Sequence, residues 1–148
     1  MKKKIFLVIF SIGAGILFTF FILNKENIYA KEEYLIYAFQ AGAFENYDNA
    51  NNFSKKLPSS IIKKDKNLYK IYVAIYKNLD LVNKMIVYFE NNDINIYLKS
   101  IKVSKEFYNN LDNYEKIIIN SDEYEIYNKI NQSILNSYIE SIENDENA

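Results

Sequence analysis

The 148-residue chain carries 18 basic and 19 acidic residues, a net charge of −1, and no Cys, His or Trp. Near-neutral charge excludes bulk nucleic-acid binding, which needs a cationic face. The missing Cys and His exclude disulfides, thiol nucleophiles, Ser-His and Cys-His catalysis and the usual zinc ligand sets.

Hydrophobic residues make up 49% of the chain, enough to bury the core of one domain beside an appendage. Every basic residue is Lys. Abundant Lys, Asn, Ile and Tyr match the codon usage of an AT-rich genome, so runs of Asn and Lys carry no functional weight by themselves. Nothing in the sequence calls for a cofactor or a metal.

Residues 1–4, "MKKK", precede the uncharged run "IFLVIFSIGAGILFTFFIL" at 5–23. As a helix this run spans about 28 Å, close to one hydrocarbon core. Lysines on its N-terminal side place that end in the cytoplasm and the rest of the chain outside. The alternative is a cleaved signal peptide, whose apolar region is ~7–15 residues with small residues at the cleavage site. Here the run is longer, and the exit "NIYA" has Ile28 where a small residue is wanted. The expectation is a single-pass cell-membrane anchor at 5–23 and a linker at 24–33.

From residue 34 a weak repeat appears at an offset of 32, aligning "YAFQAGAFENYDNANNF" with "YKIYVAIYKNLDLVNKM". Each copy reads as strand, turn and helix. The first strand is expected over 34–43 and the first helix over 47–57, with Asn46 as N-cap, an apolar stripe of Ala50, Phe53 and Leu57, and Pro58 as the stop. A second strand is expected over 60–65 and a third over 68–76. Asn78 should cap a second helix over 79–90. A fourth strand should begin at Ile94.

This order, β-α-β-β-α-β, with both helices apolar on one side only, predicts an α+β fold. A four-stranded antiparallel sheet has two helices on one face and leaves the other face open. Strand alternation puts Ile36, Ala38, Gln40, Leu68, Lys70, Tyr72, Asn95, Tyr97 and Lys99 on the open face. That mixture of apolar, amide and cationic groups suits binding; a solvated face, or one covered by the C-terminal tail, is the bland alternative.

A first strand ending in "QAGAF", followed by Asn46 and a helix with Ala50 near its start, resembles the SPOR (sporulation-related repeat) domain. "LYKIYVAIY" is similar to that family's third-strand motif. The resemblance covers residues 34–104. Lys70 stands where the family usually has Arg, and Ala74 and Ile75 replace the usual Gly-Pro. Exchanging Arg for Lys gives up a planar, bidentate fork.

The resemblance implies a ferredoxin- or RNP-like SPOR fold that binds peptidoglycan glycan strands stripped of stem peptides, at the septum, in cell division or sporulation. It implies ligand contacts at Gln40, Leu68, Lys70, Tyr72, Tyr97 and Lys99. The chemistry is consistent with that role: an amide for sugar hydroxyls, tyrosine rings for C–H faces, and Lys70 and Lys99 for the lactyl carboxylates of muramic acid. Paired acids for glycosidase chemistry are missing from the predicted open face, so the chain reads as non-catalytic. A protein-interaction module that recruits cell-wall or division proteins is the competing reading.

Residues 105–148 fall outside the resemblance. Phe107, Leu111, Tyr114 and Ile118 follow helical spacing after Ser104. Tyr127, Ile130, Ile134, Tyr138 and Ile142 do so after Ser121 or Asp122. A helical hairpin packed within the chain is expected.

Overall fold

A computed structural model describes residues 33–146; the expected membrane anchor and linker lie outside the described residues, apart from Glu33. Four strands and four helices follow one another as β1 (Glu33–Phe44), α1 (Tyr47–Ser54), β2 (Ile61–Asp65), β3 (Leu68–Tyr76), α2 (Leu79–Asn91), β4 (Tyr97–Ser104), α3 (Lys105–Ile119) and α4 (Tyr124–Glu146). The strands form one antiparallel sheet in the order β2-β3-β1-β4. Among the described residues no helix is long and apolar enough to cross a membrane.

Both strand-to-helix turns of the repeat are built alike. Asn46 Oδ1 accepts the backbone N–H of Asp48 at 2.7 Å and of Asn49 at 3.2 Å. Asn78 Oδ1 accepts those of Asp80 at 2.9 Å and Leu81 at 3.1 Å. Each cap satisfies two of the N–H groups that a helix start leaves without partners. Near the end of β1 in the first copy, Gly42 makes room for an aromatic pair. A Cβ there would meet the ring of Phe44 at 2.8 Å, and that ring packs on Phe53 of α1 with centroids 5.4 Å apart.

Two expected boundaries shift for local reasons. The first helix stops at Ser54 rather than Leu57. Pro58 disfavours the helical backbone at the residue before it, and the chain leaves α1 through tighter turns, Lys56 N–H to Phe53 O and Leu57 N–H to Ser54 O. The fourth strand begins at Tyr97 rather than Ile94. Asp93 adopts a left-handed φ of 56°, and the N–H groups of Asp93 and Ile94 turn back to Glu90 O and Phe89 O. This is a Schellman ending, and it uses the donor that Ile94 would have given to a ladder.

The β1–β3 ladder shifts register on either side of Gln40. Strict in-out alternation therefore fails in the stretch "FQAG": Ala38, Phe39, Gln40 and Ala41 are all buried in succession.

The expected open face is covered in its middle. On β3 every residue from Ile71 to Tyr76 is buried. Neighbouring residues on a strand point to opposite faces, so both faces of β3 are covered. Ile36, Ala38, Gln40 and Tyr72, expected on the open side, are buried too. Helix α4 packs along β3 and reaches β2. It is the tail covering that the sequence left as an alternative.

Three polar contacts fix the hairpin in place. The hydroxyl of Tyr76 donates to Asn131 Oδ1 on α4, with both residues fully buried. Gln132 Oε1 accepts the N–H of Ser60 at 3.0 Å. Glu115 on α3 accepts the N–H groups of Lys77 at 2.6 Å and Asn78 at 3.2 Å, tying α3 to the start of α2.

Burial raises the Glu115 carboxyl above its ordinary value, against the lowering effect of its two N–H donors. Between the ordinary and the raised value the folded protein binds more protons than the unfolded chain, so stability falls as pH rises through that window. Glu115→Gln keeps the acceptor oxygen and removes the titration. Its melting temperature should gain on the wild type as pH climbs from the ordinary carboxylate range towards neutrality. A difference that does not change with pH rules this out.

Tyr76→Phe leaves the Asn131 amide with no partner, because its Nδ2 already has none. It should cost about 1–3 kcal/mol in urea unfolding. The double change Tyr76→Phe with Asn131→Leu removes both polar groups and should recover most of that loss.

Candidate functional site: a lysine-lined hollow beside the C-terminal helix

Ladder register brings most of the expected site residues onto one face. Gln40 pairs with Tyr72 on β3 and with Tyr97 on β4, so the three form a row across the sheet. Directly opposed residues of antiparallel strands share a face. Lys99 pairs with Ala38, two positions along β1 from Gln40. Lys70 lies two positions from Tyr72 and pairs with Lys63 of β2. Leu68 pairs with Asp65 where the β2–β3 hairpin turns.

The six residues differ in access. Tyr97 is 64% exposed and Leu68 36%, whereas Gln40 is 8% and Tyr72 5% exposed. Lys99 is exposed and Lys70 half-buried. Tyr72 lies beside Tyr138 of the C-terminal hairpin, which the sequence offered no means of placing, and Gln40 is buried on the central strand β1. Burial also pushes the Tyr72 hydroxyl up, with the Lys70 ammonium opposing it.

Lys70, Tyr72 and Lys99 line one hollow of about 420 Å³, together with Lys63, Lys64 and Tyr138 among others. Gln40, Leu68 and Tyr97 do not line it. Five lysines (63, 64, 70, 99 and 102) and one carboxylate, Asp65, contribute to its lining. Lys64, however, pairs with Tyr69 and lays its ammonium over that ring, which packs on Tyr47 of α1. Its charge therefore lies on the other face of the sheet from Lys63. Two of the lysines are compensated. Lys70 is ion-paired with Asp65, which raises the Lys70 ammonium and lowers the Asp65 carboxyl. Lys102 pairs with Glu33 at 2.6 Å, and that contact raises it.

The other three have no carboxylate partner among the described residues. Lys63 donates to the Tyr138 hydroxyl at 3.1 Å and lies 5.1 Å from the ring centroid. Lys64 lies 5.7 Å from the Tyr69 ring centroid. Tyrosine rings attract cations through their faces without neutralising them. The hollow is therefore cationic.

The sequence reading missed Lys63, Lys64, Lys102 and Tyr138. The first two stand in "SIIKKD", recognised as a strand but not as a neighbour of Lys70. The signal was the hairpin itself. A two-residue turn at Lys66 and Asn67, with Lys66 at a φ of 55°, fixes the register that puts Lys63 opposite Lys70. Tyr138 had no such signal, since its position depends on how α4 docks.

No family model, curated protein or solved structure matches the chain.

Proposed function

We propose that this chain is a non-catalytic, membrane-anchored protein that binds peptidoglycan glycan strands stripped of their stem peptides, at the septum, in cell division or sporulation. In this reading residues 34–104 are a SPOR domain of ferredoxin-like type. The segment 5–23 is a single membrane span, with its N-terminus cytoplasmic and the domain outside.

The observation that carries the reading is the co-facial row Tyr72, Gln40 and Tyr97, flanked by Lys70 and Lys99. A glycan strand is long and repetitive. It suits a row of aromatic, amide and cationic groups better than a closed pocket. Each exposed lysine–carboxylate contact is worth only ~0.2–1 kcal/mol, so binding adds up over several sugars. Tyr97 and Lys99 form the accessible end of the row, and Gln40 and Tyr72 its walled end. The α+β sheet with its strand order 2-3-1-4 supports the fold part of the reading.

A second reading, recruitment of cell-wall or division proteins, is favoured by the tip of the C-terminal hairpin. Ile117, Ile119 and Tyr124 are all exposed there.

Sedimentation of the full chain with peptidoglycan, with and without prior amidase digestion, tests the first reading. Binding should rise after amidase treatment. Tyr97→Ala with Lys99→Ala should weaken it several-fold, and Ile117→Lys with Tyr124→Lys should leave it unchanged. Failure to bind either preparation sinks the glycan reading. Deleting 105–148 is not a usable control, because α3 and α4 supply buried core residues from Phe107 to Tyr138.

A further inference from the structure

We infer that the lysine-lined hollow is a phosphate-binding subsite, taking the phosphate ester or diester groups of an anionic ligand. The inference goes beyond the glycan reading. It depends on Lys63 and Tyr138, which that reading does not use.

The charge count leads to phosphate. Lys63 and Lys99 line the hollow with no carboxylate within 4.0 Å among the described residues, while Lys70 and Lys102 are already paired and Lys64 is turned to Tyr69. A muramic acid unit brings one carboxylate and would engage one of these lysines. Two uncompensated cations around one space, beside the single pair of Lys70 with Asp65, suit a dianionic phosphate monoester or closely spaced phosphodiesters. Lysine binds phosphate as a point charge that needs no planar fork, so an all-lysine lining suits it.

The hollow's architecture works against its own stability. Lys63 and Lys70 are directly opposed in the ladder, and like charges in that arrangement repel. The surrounding groups hold the ammoniums in place. Asp65 is drawn to Lys70 and Tyr138 to Lys63, leaving Lys63 with its charge and with further N–H donors. Tyr72 and Tyr138 belong to the same lining, and a tyrosine hydroxyl can donate to a phosphate oxygen.

Titration of the full chain in neutral detergent at low salt with inorganic pyrophosphate, glycerol phosphate and poly(glycerol phosphate) tests this. All three should bind, and raising the salt to physiological strength should weaken binding as screening sets in over about 8 Å. Lys63→Ala should lower affinity about fivefold, in line with one charge contact at the upper end of its usual worth. Lys63→Arg should retain it and shows that the fold tolerates a change there. Tighter binding of the polymer per phosphate points to a wall or polymer source, and equal binding to a small phosphate ester or headgroup.

The inference is overturned if pyrophosphate does not bind, if Lys63→Ala binds as the wild type does, or if a polycarboxylate such as polygalacturonate binds as tightly as poly(glycerol phosphate). The same alanine variant should still sediment with amidase-treated peptidoglycan, so loss of phosphate binding and loss of glycan binding are read separately.

Discussion

The rest of the structure depends on β3 being covered on both sides. A strand in the middle of a small sheet can leave one face to water, and then alternates apolar with polar. "IYVAIY" at 71–76 does not alternate, and every one of its side chains is buried. Such a strand demands a second layer. Helices α1 and α2 are too short and too few to supply it on both faces, so the chain continues past β4 and returns with α3 and α4. The buried hydrogen bond from Tyr76 to Asn131 then sets where α4 stops along β3. An apolar helix could slide over an apolar strand at little cost. A buried hydroxyl and amide that must meet each other allow few positions.

That register decides what remains of the sheet face. With α4 placed by Asn131, Tyr138 comes two turns later over β2, against Lys63. The middle of the face closes over Gln40 and Tyr72, and the ends stay open at Tyr97 and Leu68. The hollow is what is left between the helix and the two outer strands. Its walls come from β2, β3, β4 and α4, so no single element could reveal it.

Local chemistry was the legible part of the sequence. Asn46 and Asn78 were recognisable as caps because their side chains act within three residues, and both do so. The bounds of β3 and the apolar stripes of α3 and α4 followed from periodicity. The co-facial grouping of Gln40, Lys70, Tyr72, Tyr97 and Lys99 was likewise available from alternation, although the shift at Gln40 breaks that alternation locally. The start of β4 was missed because a helix ending claimed Ile94's donor, which hydrophobicity does not register. The burial of Gln40 and Tyr72 was missed because it depends on long-range docking. No pattern in "YEIYNKINQSILNSYIE" says which strand Asn131 will meet.

The cross-strand pair Lys63–Lys70 carries the argument from fold to function one step further. Substituting either position by Thr or Val would remove a repulsion and raise strand propensity, and the sheet would gain. Instead the fold places Asp65 beside one lysine and the Tyr138 ring and hydroxyl beside the other. These contacts moderate the repulsion and still leave the hollow positive, since only one carboxylate lines it. An arrangement built for stability alone would neutralise both charges or dispense with them. Lysines held close together, oriented by tyrosines and left in excess, are what recognition of an anion requires, and their cost to the sheet is repaid when that anion binds.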